Sequence, residues 1–186
     1  MNDTTDWQNQ RKQLIIQLYQ VPSVEHPIYN PDGVICISLA KPEEALTVHS
    51  IMHEAFAEYL NKLRPPSSAS TANVEDVQHN MKEGGAILGK VDQQNVASAQ
   101  FRIREDHLYI GRLAVLPEYR GRKIGSALID YLEMLARIAS RRQLRLGTRL
   151  SLHKNVALYQ RHGFQVEAVA RSNGPDSVVW MVKQIT

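Results

Sequence analysis

The chain carries a single cysteine, Cys36, in 186 residues, so no disulfide can form within it. A reducing compartment is the setting in which such a composition is expected. Long hydrophobic runs are missing too. Apolar stretches stop short of the about 20 residues needed to cross a bilayer, and the start MNDTTDWQNQRK has no apolar segment of a secretory leader. A soluble, cytoplasmic protein with no membrane partner is expected. Charge of one sign is not in large excess, since 22 Lys and Arg face 19 Asp and Glu for a formal +3. That balance can concentrate small anions, but it lacks the dense basic stripe of a nucleic-acid-binding surface. No internal repeat is visible, which argues against solenoids and propellers. A hydrophobic content of 43% excludes global disorder, and the length fits one domain with a sizeable core.

What is present is concentrated in residues 108–135, LYIGRLAVLPEYRGRKIGSALIDYLEML. Leu108 to Val115 has the aliphatic and β-branched composition of a buried strand. Ile124, Leu128, Tyr131, Leu132 and Leu135 recur at helical spacing. Between them, PEYRGRKIG is polar and glycine-bearing. A strand that stops at a proline, turns through a basic glycine loop and re-emerges as a helix brings unpaired backbone N–H groups to the positive end of the helix dipole. Such a point is a phosphate site. Arg120, Gly121, Arg122, Lys123, Ile124, Gly125 and Ser126 can offer it backbone donors and three cationic side chains.

Around this centre the pattern predicts a helix from Asp3 to Tyr19, then a connector from Val21 to Gly33 punctuated by Pro22, Pro27 and Pro31 and ending in an Asn-Pro-Asp-Gly turn. Val34–Leu39 reads as the first strand. A helix opens at Pro42 and ends near Leu63. Arg64 to Asn73 reads as a loop, a candidate substrate lid or acceptor wall, with Thr71 or Asn73 capping a helix from Val74 to about Lys82. An antiparallel meander follows, over 86–91, 96–104 and 108–115. After the 123–140 helix come a strand over 143–150, a short helix from about Lys154 to His162, and a closing strand pair around Asn173-Gly174-Pro175-Asp176. The domain reading is an N-terminal helix and connector over 1–33 and one domain over 34–186.

Two motifs carry a resemblance. Leu113-Ala-Val-Leu-Pro-Glu-Tyr-Arg-Gly-Arg-Lys-Ile-Gly125, followed by an amphipathic helix and by Asn155-Val-Ala-Leu-Tyr159-Gln-Arg-His-Gly-Phe164, resembles the GCN5-related N-acetyltransferase (GNAT) superfamily. The resemblance spans roughly Val34 to Lys183 in element order. It implies an α/β (α+β) fold, with a mixed, mostly antiparallel twisted sheet of about six to seven strands flanked by helices. It also implies acetyl-CoA as acyl donor, held without a metal. Leu113, Ala114 and Val115 are then expected to pair with the pantetheine amides as if the ligand were another strand. Lys123 stands where the family's first loop glycine is commonest. With an ordinary helical φ its N–H remains a donor; a demand for φ > 0 would strain it. Gly111, inside an apolar strand, suggests a bulge that turns an N–H toward the thioester carbonyl.

The family's matching tyrosine falls on Tyr159, which the resemblance makes the general acid for the departing thiolate. Asn155, four residues earlier on the same helical face, can touch pantetheine. A phenol near pKa ~10 is a weaker acid than a thiol near ~8.5, so a hydrogen bond to the sulfur is the more economical role. The general base stays unassigned among Glu54, Glu58, Glu105, Asp106, His107 and Glu118. His49 and His53 sit i, i+4 on a helix, but no third ligand accompanies them and Ser50 stands where a metalloprotease carries glutamate. The expected activity is acetyl transfer to a primary amine of a small molecule by direct attack in a ternary complex. Peptide or protein amines, and a non-catalytic acyl-CoA sensor, are the alternatives. The apolar N-terminal stripe around Leu14 to Tyr19 leaves a homodimer open.

Overall fold

The computed structural model describes residues 3–27, 33–170 and 176–185. Helix α1 (Asp3–Leu18) leads into β1 (Val24–Pro27) and β2 (Val34–Leu39). Helix α2 (Ala45–Phe56) lies between 3-10 turns at Pro42–Glu44 and Ala57–Tyr59, and α3 (Ser68–Thr71) and α4 (Val74–Glu83) follow. The meander comprises β3 (Gly85–Val91), β4 (Gln94–Ile103) and β5 (Leu108–Val115). Helix α5 (Ile124–Ile138) then precedes β6 (Gln143–Arg149), α6 (His153–Arg161), β7 (Gln165–Ala170) and β8 (Val178–Gln184).

One eight-stranded sheet forms in the order β1-β2-β3-β4-β5-β6-β8-β7. Every neighbouring pair is antiparallel except β5 with β6, which α5 connects. The strand beyond the expected six or seven is β1, which lies in the stretch read as connector. As the edge strand it tolerates Pro27, because nothing on its outer side needs that N–H. The helix opening at Pro42 stops at Phe56 rather than Leu63; a 3-10 turn follows it, and Asn61 adopts φ +64°. Within the polar loop a single helical turn forms, with Ser67 capping it through Ala69 N. Asn73 caps α4, accepting from Asp76 N at 2.8 Å while Asp76 accepts from Asn73 N at 3.0 Å. The turn residues Asn30-Pro31-Asp32 and Asn173-Gly174-Pro175 lie outside the described residues.

Strand alternation sends side chains to two cores. Ile35, Ile37, Ile87 and Ile103 pack with Leu128 and Leu132 of α5 and with Leu18 of α1 on one face. Ala86, Leu88 and Ala114 pack with Val48, Met52 and Val77 of α2 and α4 on the other. Helix α1 is held further by Arg11 to Glu83 at 2.8 Å, and the Tyr19 hydroxyl just beyond it donates to the Ala40 carbonyl at 3.1 Å. Both faces of β5 are therefore covered, and its exposed feature is the edge toward β6.

Candidate active site

Strands β5 and β6 pair through three residue pairs only, Leu108 with Leu144 to Ile110 with Leu146. Beyond Ile110 they part, and a cleft of about 400 Å³ opens between Gly111, Arg112 and Leu113 on one side and Gly147, Thr148 and Arg149 on the other. On its opposite edge β5 is bulged. Gln100 of β4 faces Gly111 and Ser98 faces Ala114, so Arg112 and Leu113 share the place opposite Ala99. The left-handed residue in this bulge is Arg112, at φ +52°, and Gly111 keeps an ordinary backbone. The bulge expected at Gly111 is thus centred one residue later.

At the end of β5 the chain enters the basic loop. Gly121 has φ +78°, and Lys123, the residue before α5, has φ +63°. The ordinary helical φ considered for Lys123 is corrected: the backbone takes the left-handed conformation that costs a Cβ-bearing residue about 1–2 kcal/mol. Lys123 also makes no side-chain cap for α5. A cap normally accepts from the first helical N–H groups; here the first intrahelical bond is Ala127 N to Lys123 O at 3.1 Å, which leaves the amides of Ile124, Gly125 and Ser126 unmatched by the helix. Gly125 sits under α6, where a Cβ would lie 3.3 Å from Leu158 Cδ2.

The cationic side chains of the loop do not act alike. Arg120 turns back toward α2: Nε donates to the Val115 carbonyl at 3.1 Å, Nη2 to the Ala55 carbonyl at 2.8 Å, and Nη1 pairs with Glu58. Its guanidinium therefore fastens the loop to α2. Arg122 lies over the Tyr119 ring, 5.1 Å from the centroid, and reaches the Glu118 carbonyl at 3.3 Å.

Helix α6 carries Asn155 and Tyr159 to the same cleft. The Tyr159 ring is buried and packs edge-on against Phe164 with centroids 5.8 Å apart. Burial pushes its hydroxyl well above the usual tyrosine range, and Tyr109 and Tyr59 add to the shift. At neutral pH it is a phenol that can donate a proton or a hydrogen bond.

None of the six acidic or histidine candidates for the base lines the cleft among the described residues. Glu58 is paired with Arg120, and Asp106 and His107 pair with each other at 2.6 Å in the turn before β5. Arginines, which the sequence reading did not single out, occupy the walls instead: Arg102, Arg112 and Arg149. The segment after α2 forms a further wall through Ser67, Ser68 and Ala69, and it is tied across the cleft. Arg149 Nη2 donates to the Pro65 carbonyl at 2.9 Å, and Arg64 N donates to Asp176 Oδ2 at 3.1 Å. His49 Nε2 contacts the Ala72 carbonyl at 3.0 Å and so joins α2 to the same segment.

Residues 49–164 match the model of the acetyltransferase (GNAT) family. The chain belongs to this family. This GNAT enzyme is an acyl-CoA-dependent N-acyltransferase. It is 25% identical over 151 residues to the S-alkylcysteine N-acetyltransferase of Bacillus subtilis (strain 168), an alignment covering 76% of this chain and 84% of the relative. Among solved structures it resembles the ribosomal-protein-S18-alanine N-acetyltransferase of Escherichia coli, with TM-score 0.67, 20% identity, and coverage of 82% of this chain and 94% of the other. It also resembles a GNAT family acetyltransferase from Elizabethkingia anophelis with acetyl-CoA bound, with TM-score 0.61, 16% identity, and coverage of 81% and 98%. At these identities the structural likeness is one of fold.

Proposed function

We propose that this GNAT enzyme transfers an acetyl group from acetyl-CoA to the primary amine of a small molecule by direct attack, with donor and acceptor bound together. One observation carries the choice of a small acceptor: the wall between α2 and α4 is fastened across the cleft by Arg149 to Pro65 O at 2.9 Å and by Arg64 N to Asp176 at 3.1 Å. A peptide lying through the site needs a groove open on that side. The B. subtilis relative that acts on S-alkylcysteine supports the same reading. A protein amine is the second reading, favoured by the E. coli ribosomal-protein enzyme, and it requires the wall to swing away.

Acetyl-CoA supplies a thioester carbonyl for the amine to attack. This chain fits such a donor in three places. The unmatched amides of Ile124, Gly125 and Ser126, with Gly121, Arg122 and Lys123 around them, receive a pyrophosphate at the positive end of α5. The edge of β5 past Ile110, where β6 has departed, offers Leu113 and Ala114 backbone groups to the pantetheine amides; the Val115 carbonyl is shared with Arg120. Asn155 faces the same cleft from α6. Arg120 acts as a positioning residue for the loop. We take residues 34–186 as the catalytic domain, with α1 and the edge strand β1 of the preceding segment packed onto it.

Tyr159 serves as hydrogen-bond donor to the leaving sulfur. Its raised pKa makes full proton transfer to a thiolate more uphill than the about 2 kcal/mol set by the ordinary values. Deprotonating a lysine-like amine, near pKa ~10.4, costs about 4.6 kcal/mol at pH 7. With no carboxylate at the cleft wall among the described residues, the positive potential of Arg102 and Arg112 reduces that cost by disfavouring the ammonium.

Thiol release from acetyl-CoA, measured over amino acids, polyamines, aminoglycosides and lysine peptides, tests the reading. Turnover of free amines is expected. Turnover confined to lysine peptides moves the enzyme to the second reading, and silence with acetyl-CoA bound would make it a sensor.

A further inference from the structure

Two guanidinium groups stand beside the bulge, and their hydrogen-bond acceptors among the described residues are neutral amides. Arg102 of β4 donates to Asn80 Oδ1, and Arg112 Nη1 reaches Gln100 Oε1 at 3.5 Å. Asn80 and Gln100 are themselves buried, 9% and 5% exposed. Both arginines are half-buried, and guanidinium groups partly withdrawn from water are commonly matched by carboxylates, yet no ion pair among the described residues includes either one. The acid within electrostatic reach of Arg112 is Asp76, whose carboxylate accepts from Asn73 N at 3.0 Å in its own helix cap. The charge of Arg112 is disfavoured by its burial and, further, by the neighbouring Arg102. Arg149, on the opposite wall, differs in being committed to the Pro65 and Asp176 carbonyls.

We propose that the acceptor is an amino carboxylate with an uncharged, apolar side chain, and that Arg102 and Arg112 hold its carboxylate beside the β5 bulge. The inference rests on the small-molecule reading above. A carboxylate between two guanidinium forks supplies the missing counter-charge and accepts parallel N–H bonds with defined direction. Asn80 and Gln100 orient the forks without neutralising them. Phe56, Leu63 and Trp180 give the rest of the cavity an apolar lining suited to a side chain. Polyamines and aminoglycosides are disfavoured, because a polycation would enter a positively charged cavity whose described lining holds no acid. Specificity and activation then share one origin: the arginines that hold the carboxylate also favour the neutral amine needed for attack.

The test compares methionine, S-methylcysteine, leucine and phenylalanine, each with its carboxamide and its decarboxylated amine, by thiol release from acetyl-CoA. The free acids are expected to exceed both neutral relatives in kcat/KM by about ten- to a hundredfold, the range for hydrogen bonds to charged groups. Arg102→Gln and Arg112→Asn should bring that ratio toward one, mainly through KM of the acid, and Arg102→Lys should restore part of it. Asn is chosen at 112 because it tolerates the left-handed backbone. The ratio of acid to amine within one preparation is insensitive to partial misfolding of a variant. Equal turnover of acids and decarboxylated amines, or a ratio unchanged in both variants, overturns the carboxylate assignment alone. Turnover of lysine peptides with silence from every small amine, or silence throughout with acetyl-CoA bound, overturns the small-molecule reading as well.

Discussion

Arg120 Nη2 donates to the backbone carbonyl of Ala55 at 2.8 Å, joining the loop before α5 to the last turn of α2 across 65 residues of sequence. The same guanidinium holds the Val115 carbonyl and Glu58. Three acceptors in different directions suit a planar fork and not an ammonium. Arg120→Ala is expected to lower stability by about 1–2 kcal/mol, a range reduced for the partly exposed ion pair, and to weaken acetyl-CoA binding by loosening the loop. Urea denaturation and calorimetric titration read the two effects. Recovery of both by Arg120→Lys would contradict the fork argument.

Tyr159→Phe removes one hydroxyl from a buried ring and leaves the edge-on packing with Phe164 in place. We expect kcat to fall by roughly 10²-fold or more, with acetyl-CoA affinity nearly unchanged. Pre-steady-state thiol release separates the chemical step from binding. A variant as fast as the parent would remove Tyr159 from the mechanism.

Alkaline pH gives a second view of the buried phenols. Burial raises Tyr159 above its ordinary value, and Tyr131 is pushed up to about 12, chiefly by burial. A folded-state pKa above the unfolded one means that the unfolded chain loses the proton first. Stability from both groups is therefore intact below about pH 10 and is lost as pH rises further. Urea midpoints at pH 8, 10 and 11.5 should show this decline, and it should be shallower in Tyr131→Phe and in Tyr159→Phe.

Lys123 is a direct test of backbone strain. At φ +63°, glycine relieves the Cβ clash. Lys123→Gly is predicted to stabilise by roughly 0.5–1 kcal/mol and Lys123→Val to destabilise by about 1–2 kcal/mol. Thermal unfolding measures both. Acetyl-CoA binding should survive in Lys123→Gly, since the amides of α5 remain. A destabilised Lys123→Gly would locate the stabilising role of this residue in its side chain.

Gly147 lies beneath Trp180, where a Cβ would come within 2.9 Å of the indole Cζ3. The indole is half exposed and can shift, so Gly147→Ala should cost only about 1 kcal/mol. Its larger effect should fall on the acceptor, because both residues line the cleft. Initial-rate kinetics should show the acceptor KM changing more than the acetyl-CoA KM.

The readable parts of the sequence were those whose pattern is local. Val34–Leu39 and Leu108–Val115 have the same limits as strands in the structure, and Asn73 caps α4 as its side chain suggests. Strand β1 escaped notice because Pro22 and Pro27 read as punctuation, and only an edge position lets such a stretch pair. The bulge was placed on Gly111 because glycine is the usual bearer of a left-handed turn, whereas Arg112 takes it here. Arg120 was expected to face an anion with its side chain. Its partners on α2 and on the 3-10 turn after it come from tertiary proximity that no nearby residue encodes. The cleft arginines come from three different strands, and none of their local contexts distinguishes them from ordinary surface residues.

The three residue pairs between β5 and β6 are the narrow waist of the sheet. On one side of that waist lie β1 to β5, and on the other the β6, β8, β7 ladder. A donor lying along β5 would act as mortar between these halves. The distal ladder is therefore expected to behave as a separate opening unit in the free protein, exchanging its amide hydrogens faster than the meander does. Acetyl-CoA should slow exchange in β6 and β8 as much as in the loop that it touches, so that occupancy is recorded at a distance as lost breathing of the C-terminal strands.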